Sequence, residues 1–109
     1  MIRFLQEKPK DKIRKSQKQE RKTAKTFSGR TQAGSGSLSG SKGDVRSKYN
    51  LIECKRTDHS SISIKEAWLD KIRKEAVKEG RIPVLAIEIG KRRYIILEEV
   101  YFIWSQNDA

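Results

Sequence analysis

The chain has 109 residues, with 25 Lys and Arg against 14 Asp and Glu and a formal net charge of +11. That length suits one domain built on a single sheet with a few helices and excludes two separate cores. One cysteine and one histidine exclude an internal disulfide and a zinc centre of the Cys/His type, and no apolar run approaches the length needed to span a bilayer.

The charge is unevenly placed. Residues 1–56 carry 16 Lys/Arg and 5 Asp/Glu, an excess of +11, whereas residues 57–109 carry 9 of each. A positive field concentrated in one half attracts a polyanion and gives binding that weakens steeply with salt. Nucleic acid is the expected partner. An anionic membrane is disfavoured, because the basic stretch lacks the aromatic and leucine-rich stripe of interfacial helices. Met1 to Leu5 is too short for the apolar region of a secretion signal, and Gln6 and Glu7 follow at once. A soluble cytoplasmic protein is expected.

Residues 1–10 mix Ile2, Phe4 and Leu5 with Lys8, Pro9 and Lys10 and read as an N-terminal arm. From Asp11 to Phe27 there is no Pro or Gly, and Lys, Arg, Gln and Glu dominate, which predicts a helix with Gly29 as its stop. Ile13, Gln17, Glu20, Ala24 and Phe27 recur at steps of four, three, four and three, so they line one helical face. Glu20 is the anomaly on that face. A helical ion pair explains an acid turned to solvent, but less well one flanked by Ile13, Ala24 and Phe27.

Residues 28–42 are rich in Ser and Gly, the composition of a flexible linker. The 27 residues before them cannot form a core, so this segment is better read as a loop leading into a site. Its glycines let backbone amides approach a phosphate, while Arg30, Ser35, Ser37 and Lys42 donate to it. The Gly-Lys-Ser/Thr ending of a nucleotide-binding loop is absent, so nucleotide hydrolysis is unsupported. Gly43-Asp44-Val45 follows, then the apolar run Leu51-Ile52-Glu53-Cys54-Lys55, which reads as a strand. Alternation puts Glu53 and Lys55 on one face and Ile52 and Cys54 on the other, so Cys54 reads as a core thiol. An acid and a base side by side, with Asp44 arriving from the preceding segment, can hold a divalent metal and an attacking water. That is the chemistry of phosphodiester cleavage.

Arg56 to Ser61 forms a polar turn, with His59 exposed in it. Ser63 with Glu66 three residues on fits a capping box, predicting a helix from about Ile64 to Glu79 closed by Gly80. Its buried side is expected from Ala67 or Trp68, Leu69, Ile72, Ala76 and Val77, with Trp68 as core or subunit contact rather than a base-stacking platform. Lys65 lies in the first turn, directed to where Lys55 emerges and placed to touch a phosphate. Pro83 to Ile89 is a nearly continuous apolar strand. Gly90 to Arg93 is a basic turn, and Tyr94 to Leu97 a strand antiparallel to its neighbour. Residues 98–104 are a further strand or a short helix, whose Tyr101, Phe102, Ile103 and Trp104 belong to the core or to a surface where two copies meet. The predicted class is α/β, a mixed central β-sheet flanked by helices.

Gly-Asp, about eight intervening residues, then Glu-x-Lys after two aliphatics resembles the PD-(D/E)xK nuclease superfamily, with Gly43 in place of the proline. Within it the chain is most similar to the small Holliday-junction resolvases of phages and archaea, from about Gln19 to Ile89: a helix Glu, a Gly/Ser loop, Gly-Asp-Val, Ile-Glu-Cys-Lys and an amphipathic helix. The resemblance implies a restriction-endonuclease-like core and a metal-dependent, structure-selective endodeoxyribonuclease. It implies Glu20, Asp44, Glu53 and Lys55 as the catalytic set, and Mg²⁺ (Mn²⁺ substituting) held by Asp44, Glu53, the Cys54 backbone carbonyl and Glu20. It also implies a four-way DNA junction as substrate, with Arg30, Ser35, Ser37, Lys42 and Lys65 against the DNA, and a homodimer that cuts symmetry-related strands. Two alternatives stay open: a nuclease of this fold acting on flaps, nicks or ends, and a non-catalytic basic DNA-binding protein with structural carboxylates.

Overall fold

The computed structural model describes residues 9–32 and 43–107; Ser35, Ser37, Lys42 and residues 1–8 of the expected arm lie outside them. The elements are α1 (Pro9–Phe27), β1 (Arg30–Thr31), β2 (Val45–Arg46), β3 (Asn50–Thr57), α2 (Glu66–Lys78), β4 (Ile82–Ile89), β5 (Arg92–Leu97) and α3 (Glu99–Asn107). The five strands lie side by side in chain order. β3 and β4 run parallel, and the other neighbours are antiparallel. A parallel pair needs a crossover, and α2 provides it. The α/β class with a mixed sheet is as expected. Among the described residues no helix is long and apolar enough to cross a membrane.

α1 begins two residues earlier than predicted, so Pro9 and Lys10 belong to the helix and not to the arm. Proline is tolerated in a first helical turn, where its missing N–H has no intrahelical partner to lose, and Asp11 there complements the helix dipole. The helix ends as predicted, for a different reason. Ser28 takes the left-handed conformation (φ 56°). Gly29 is required by close approach, because a Cβ there would lie 2.4 Å from the Arg46 carbonyl oxygen. The expected Ser/Gly loop is also shorter at its start, since Arg30 and Thr31 already pair with Arg46 and Val45.

The buried face of α1 is not the predicted stripe. Ile13 is 59% exposed and Gln17 is exposed, whereas Gln19 and Thr23 are buried beside Ala24. Glu20 and Phe27 are half-buried. Buried polar groups are tolerated where they are hydrogen-bonded, and these are. Gln19 Nε2 donates to the Lys55 carbonyl (2.9 Å) and to the Ala86 carbonyl (3.3 Å), joining α1 to both parallel strands. Thr23 is hydrogen-bonded to the Cys54 side chain. Nearer the start of the helix, Lys15 Nζ lies 3.0 Å from Asp58 Oδ2, just past β3.

Alternation along β3 sorts the core into two layers. Ile52 packs with Ala24, Val45, Val84 and Ala86, joined by Phe27 and Cys54, on the α1 side. Leu51 packs with Ile72 and Ala76 on the α2 side. Each fully buried Leu or Ile contributes about 1.5–3 kcal/mol, so the middle of β3 is anchored on both faces.

The capping box at Ser63 does not form. α2 begins at Glu66, with Lys65 extended (φ −94°, ψ 133°) and no side-chain cap; the residues carrying the signature serve as the lead-in of the crossover. Gly80 closes α2 in the left-handed region (φ 66°) as expected. The basic turn is limited to Gly90 and Lys91, since Arg92 and Arg93 already pair with Ile89 and Glu88. Residues 99–107 are helical, and their aromatic residues are not core: Phe102 and Trp104 are 53% and 54% exposed.

Candidate active site

Asp44 sits where three strands meet. Its N–H donates to the Ile52 carbonyl (2.8 Å), and its carbonyl accepts from Gln32 N–H (3.0 Å). The register pairs Val45 with Ile52 and Arg46 with Leu51, so one step further Asp44 faces Glu53. Among the described residues no strand flanks β3 beyond Ile52 on this side. There the Asp44 side chain takes the place of a ladder bond: Oδ2 accepts from the Cys54 N–H at 2.7 Å. Within a strand the C=O of a residue points to the same edge as its N–H, so the Cys54 carbonyl is directed to the side Asp44 occupies.

Gly43 carries the approach to Asp44. Its φ is +65°, and a Cβ would lie 2.9 Å from Leu51 Cγ. A proline is locked near −65°, so the proline of the resembled motif could not stand here without rebuilding the turn. This departure from the pattern is therefore structural and not a silent replacement.

Glu53 is 8% exposed and lies between two ammonium groups. Lys55 Nζ is 3.6 Å from Oε2, and Lys71 Nζ, from α2, is 3.5 Å from Oε1. Lys55 also stands over the Trp68 ring, 4.8 Å from its centroid, with Lys65 at 5.8 Å. Half-buried Trp68 is thus a cation platform beneath two lysines, rather than simply core. Sequence reading missed Lys71. The signal was present, because Lys71 follows Trp68 by three residues and so shares its helical side. Gln19 was missed because nothing in a polar, lysine-rich helix marks one glutamine for burial.

Glu20 reaches the same place from α1. It lines, with Asp44, Glu53, Lys55, Gln32 and Arg21, a cleft of about 770 Å³. Burial, and then the charges of Asp44 and Glu53, push the Glu20 carboxyl up to about 7. Burial and Asp44 also raise Glu53, against the lowering effect of Lys71 and Lys55. Cys54 is held neutral by burial and by the same carboxylates, so it is no nucleophile. His59 is exposed in its turn, its N–H bonded to Thr57 Oγ1.

Of the expected residues, the fold brings Glu20, Asp44, Glu53, Cys54 and Lys55 to one cleft, with Lys65 beside it. Arg30 is not in that cleft. It stands on β1 and lines a neighbouring one with Arg46, Lys48 and Arg81.

The donor chemistry fits a hard divalent cation, since three carboxylates facing one cleft are the ligands Mg²⁺ takes; burial first, and then the neighbouring carboxylates, raise Glu20 and Glu53, and a cation would offset both. As packed, these oxygens are engaged by lysines and a backbone amide. Among the described residues no three His, Cys, Asp or Glu side chains are gathered tightly enough to hold an ion. No model of a known protein family matches the chain, and neither does any curated protein or solved structure.

Proposed function

We propose that the protein is a metal-dependent endodeoxyribonuclease of the PD-(D/E)xK type, acting as a homodimer on branched DNA, with the four-way junction as its preferred substrate. The observation carrying this reading is the meeting of Glu20 from α1, Asp44 from the bend before β2, and Glu53 and Lys55 from β3, in one cleft. Phosphodiester hydrolysis needs a positioned water, neutralisation of charge on the phosphate and a stabilised leaving oxygen. A bound divalent cation supplies the neutralisation and acidifies water.

Asp44 and Glu53, with the Cys54 carbonyl, would hold that cation; Glu53 stands on β3, and Asp44, in the bend before β2, is tied to β3 by its hydrogen bonds to Ile52 and Cys54. Lys55 presents its ammonium to the scissile phosphate, kept in position by Glu53 and the Trp68 face, and groups fixed in advance stabilise developing charge best. Glu20 orients a water and holds or accepts its proton, a role suited to a carboxyl near 7. Lys65 and Lys71 add positive charge beside the phosphate.

A second reading, a non-catalytic DNA-binding protein, draws on the ion pairs of Glu53 and the Asp44–Cys54 bond, which are also what structural carboxylates would make. One experiment separates them. The protein is incubated with a four-way junction, a flap and a linear duplex, with and without Mg²⁺, beside Asp44→Asn and Glu53→Gln. The nuclease reading expects Mg²⁺-dependent cuts in the junction, lost in both variants with DNA binding kept. The amide introduced by Asp44→Asn retains an oxygen for the Cys54 N–H, so its loss of cleavage reports charge and not fold. Outer-shell changes at metal sites alone cost about 10–100-fold, so a direct ligand should cost at least about 100-fold. Absence of Mg²⁺-dependent scission by the wild type on all three substrates would leave the binding protein. Preferred cutting of the flap would replace the junction as substrate.

A further inference from the structure

The cleft beside the carboxylates has a charge pattern that the hydrolytic reading does not use. It encloses about 600 Å³ and is lined by Arg30, Arg46, Lys48 and Arg81, on a floor that includes Gly29 and Ser47. In the β1–β2 ladder Arg30 is the direct cross-strand partner of Arg46. Like charges placed opposite one another on a sheet are destabilising, and this ladder is only two residues long. Arg46 donates to both oxygens of Glu79, at 2.9 and 2.7 Å. Arg81 donates to the same carboxylate and, through Nε, to the Ser47 carbonyl at 2.9 Å.

Among the described residues Glu79 is the one carboxylate that touches these groups. Four cations against one acid leave three positive charges in the cleft. Glu79 and Ser47 hold two guanidinium groups in fixed orientations, while Arg30 and Lys48 project exposed. Gly29 permits the close approach that sets the floor, since a Cβ there would collide with the Arg46 carbonyl. Thr31 and Gln32 line this cleft and the carboxylate cleft alike, so the two are the opposite sides of one short wall.

We infer that this cleft is a second phosphate-binding subsite, which takes a backbone phosphodiester of the same DNA that enters the carboxylate cleft. It rests on the DNA-directed reading above but not on hydrolysis. Its role is to hold the strand across the β1–β2 hairpin and so fix the path by which DNA enters the carboxylate cleft. No base is read here, because guanidinium groups facing phosphates position without specifying.

The test is salt-dependent binding of a fluorescein-labelled junction, and of a linear duplex of the same sequence, in EDTA. The double variant Arg30→Gln/Lys48→Gln removes the two exposed charges and leaves the Glu79 network intact. Lys91→Gln/Arg92→Gln removes equal charge at the β4–β5 turn and the start of β5, beyond the opposite end of the β3–β4 pair, and cooperative melting no lower than that of the wild type confirms that both variants fold. Loss of the one phosphate held here lowers the slope of log affinity against log salt by about one. The cleft variant should show that fall on both DNAs, with at least about tenfold weaker binding at low salt, while the turn variant changes the slope by less than half as much. An unchanged slope, or equal falls in both variants, overturns the subsite. A wild type that cuts no DNA while the cleft variant loses its slope retires hydrolysis and leaves the subsite standing. A wild type that cuts in Mg²⁺ while the cleft variant binds unchanged does the reverse.

Discussion

Glu20 is the residue whose chemistry is most sensitive to its surroundings. Its carboxyl rises from an ordinary 4.5 to about 7, first through burial and then through Asp44 and Glu53. Because the folded state holds a proton that the unfolded chain has already released, stability falls as pH rises between those two values. In EDTA the melting temperature should therefore decline from about pH 4.5 to about pH 7, and Glu20→Gln should flatten that decline. Saturating Mg²⁺ at neutral pH should restore stability to the wild type by binding the folded state alone. A wild-type melting profile that is level over that range would refute the coupling. Lys71 offers a second measurement. It lowers the Glu53 carboxyl, so Lys71→Met should move the acidic limb of the cleavage profile to higher pH, by the loss of one of two neighbouring cations.

At the scale of elements, the site depends on how closely the hairpin, β3 and α1 can approach. Gly43 is one of two close approaches and combines it with a left-handed backbone. With φ at +65° and Leu51 Cγ 2.9 Å from where a Cβ would stand, Gly43→Ala should cost at least about 1 kcal/mol. Gly43→Pro, which restores the letter of the resembled motif, should cost about 3 kcal/mol or more. Urea unfolding measures both, and a Gly43→Pro protein as stable as the wild type would refute a left-handed turn at this position. Gln19 binds α1 to the sheet by two bonds to carbonyls of β3 and β4. Gln19→Leu strands those acceptors and should cost about 1–3 kcal/mol. Cleavage should fall with it, because α1 also carries Glu20.

At the scale of the whole molecule, the two halves of the chain have different tasks. The basic half surrounds the two clefts, and the balanced half carries an apolar surface. Val100, Phe102, Ile103 and Trp104 on α3, with Tyr94 and Ile95 on the edge strand β5, are all more than a third exposed. Large apolar side chains left this exposed on one short helix mark an interaction site, and a second copy of the chain is the proposed partner. Sedimentation should give a dimer, which needs about 1,200–2,000 Å² of buried surface. Phe102→Glu/Trp104→Glu should give a folded monomer that nicks a junction without paired cuts. A monomeric wild type would leave that surface to a different partner.

Much of this was legible in the residues alone, and the reason differs from place to place. Short apolar runs marked β3 and β4, and the Glu53–Lys55 spacing put both groups on one face; such local geometry needs no knowledge of the rest of the chain. The concentration of charge in residues 1–56 is likewise a property of composition. Glu20 was singled out by its position on a helical stripe, although the stripe itself turned out to run through Gln19 and Thr23. What only the tertiary structure decided was which polar groups find partners. Burial of Gln19 depends on carbonyls at Lys55 and Ala86, the stacking of Lys55 on Trp68 depends on the crossover, and the Arg30–Arg46 pair depends on a register spanning residues 33–42. Each of these joins residues far apart in the chain, and a hydrogen bond or an ion pair is decided by distance in space, which periodicity along a single chain does not encode.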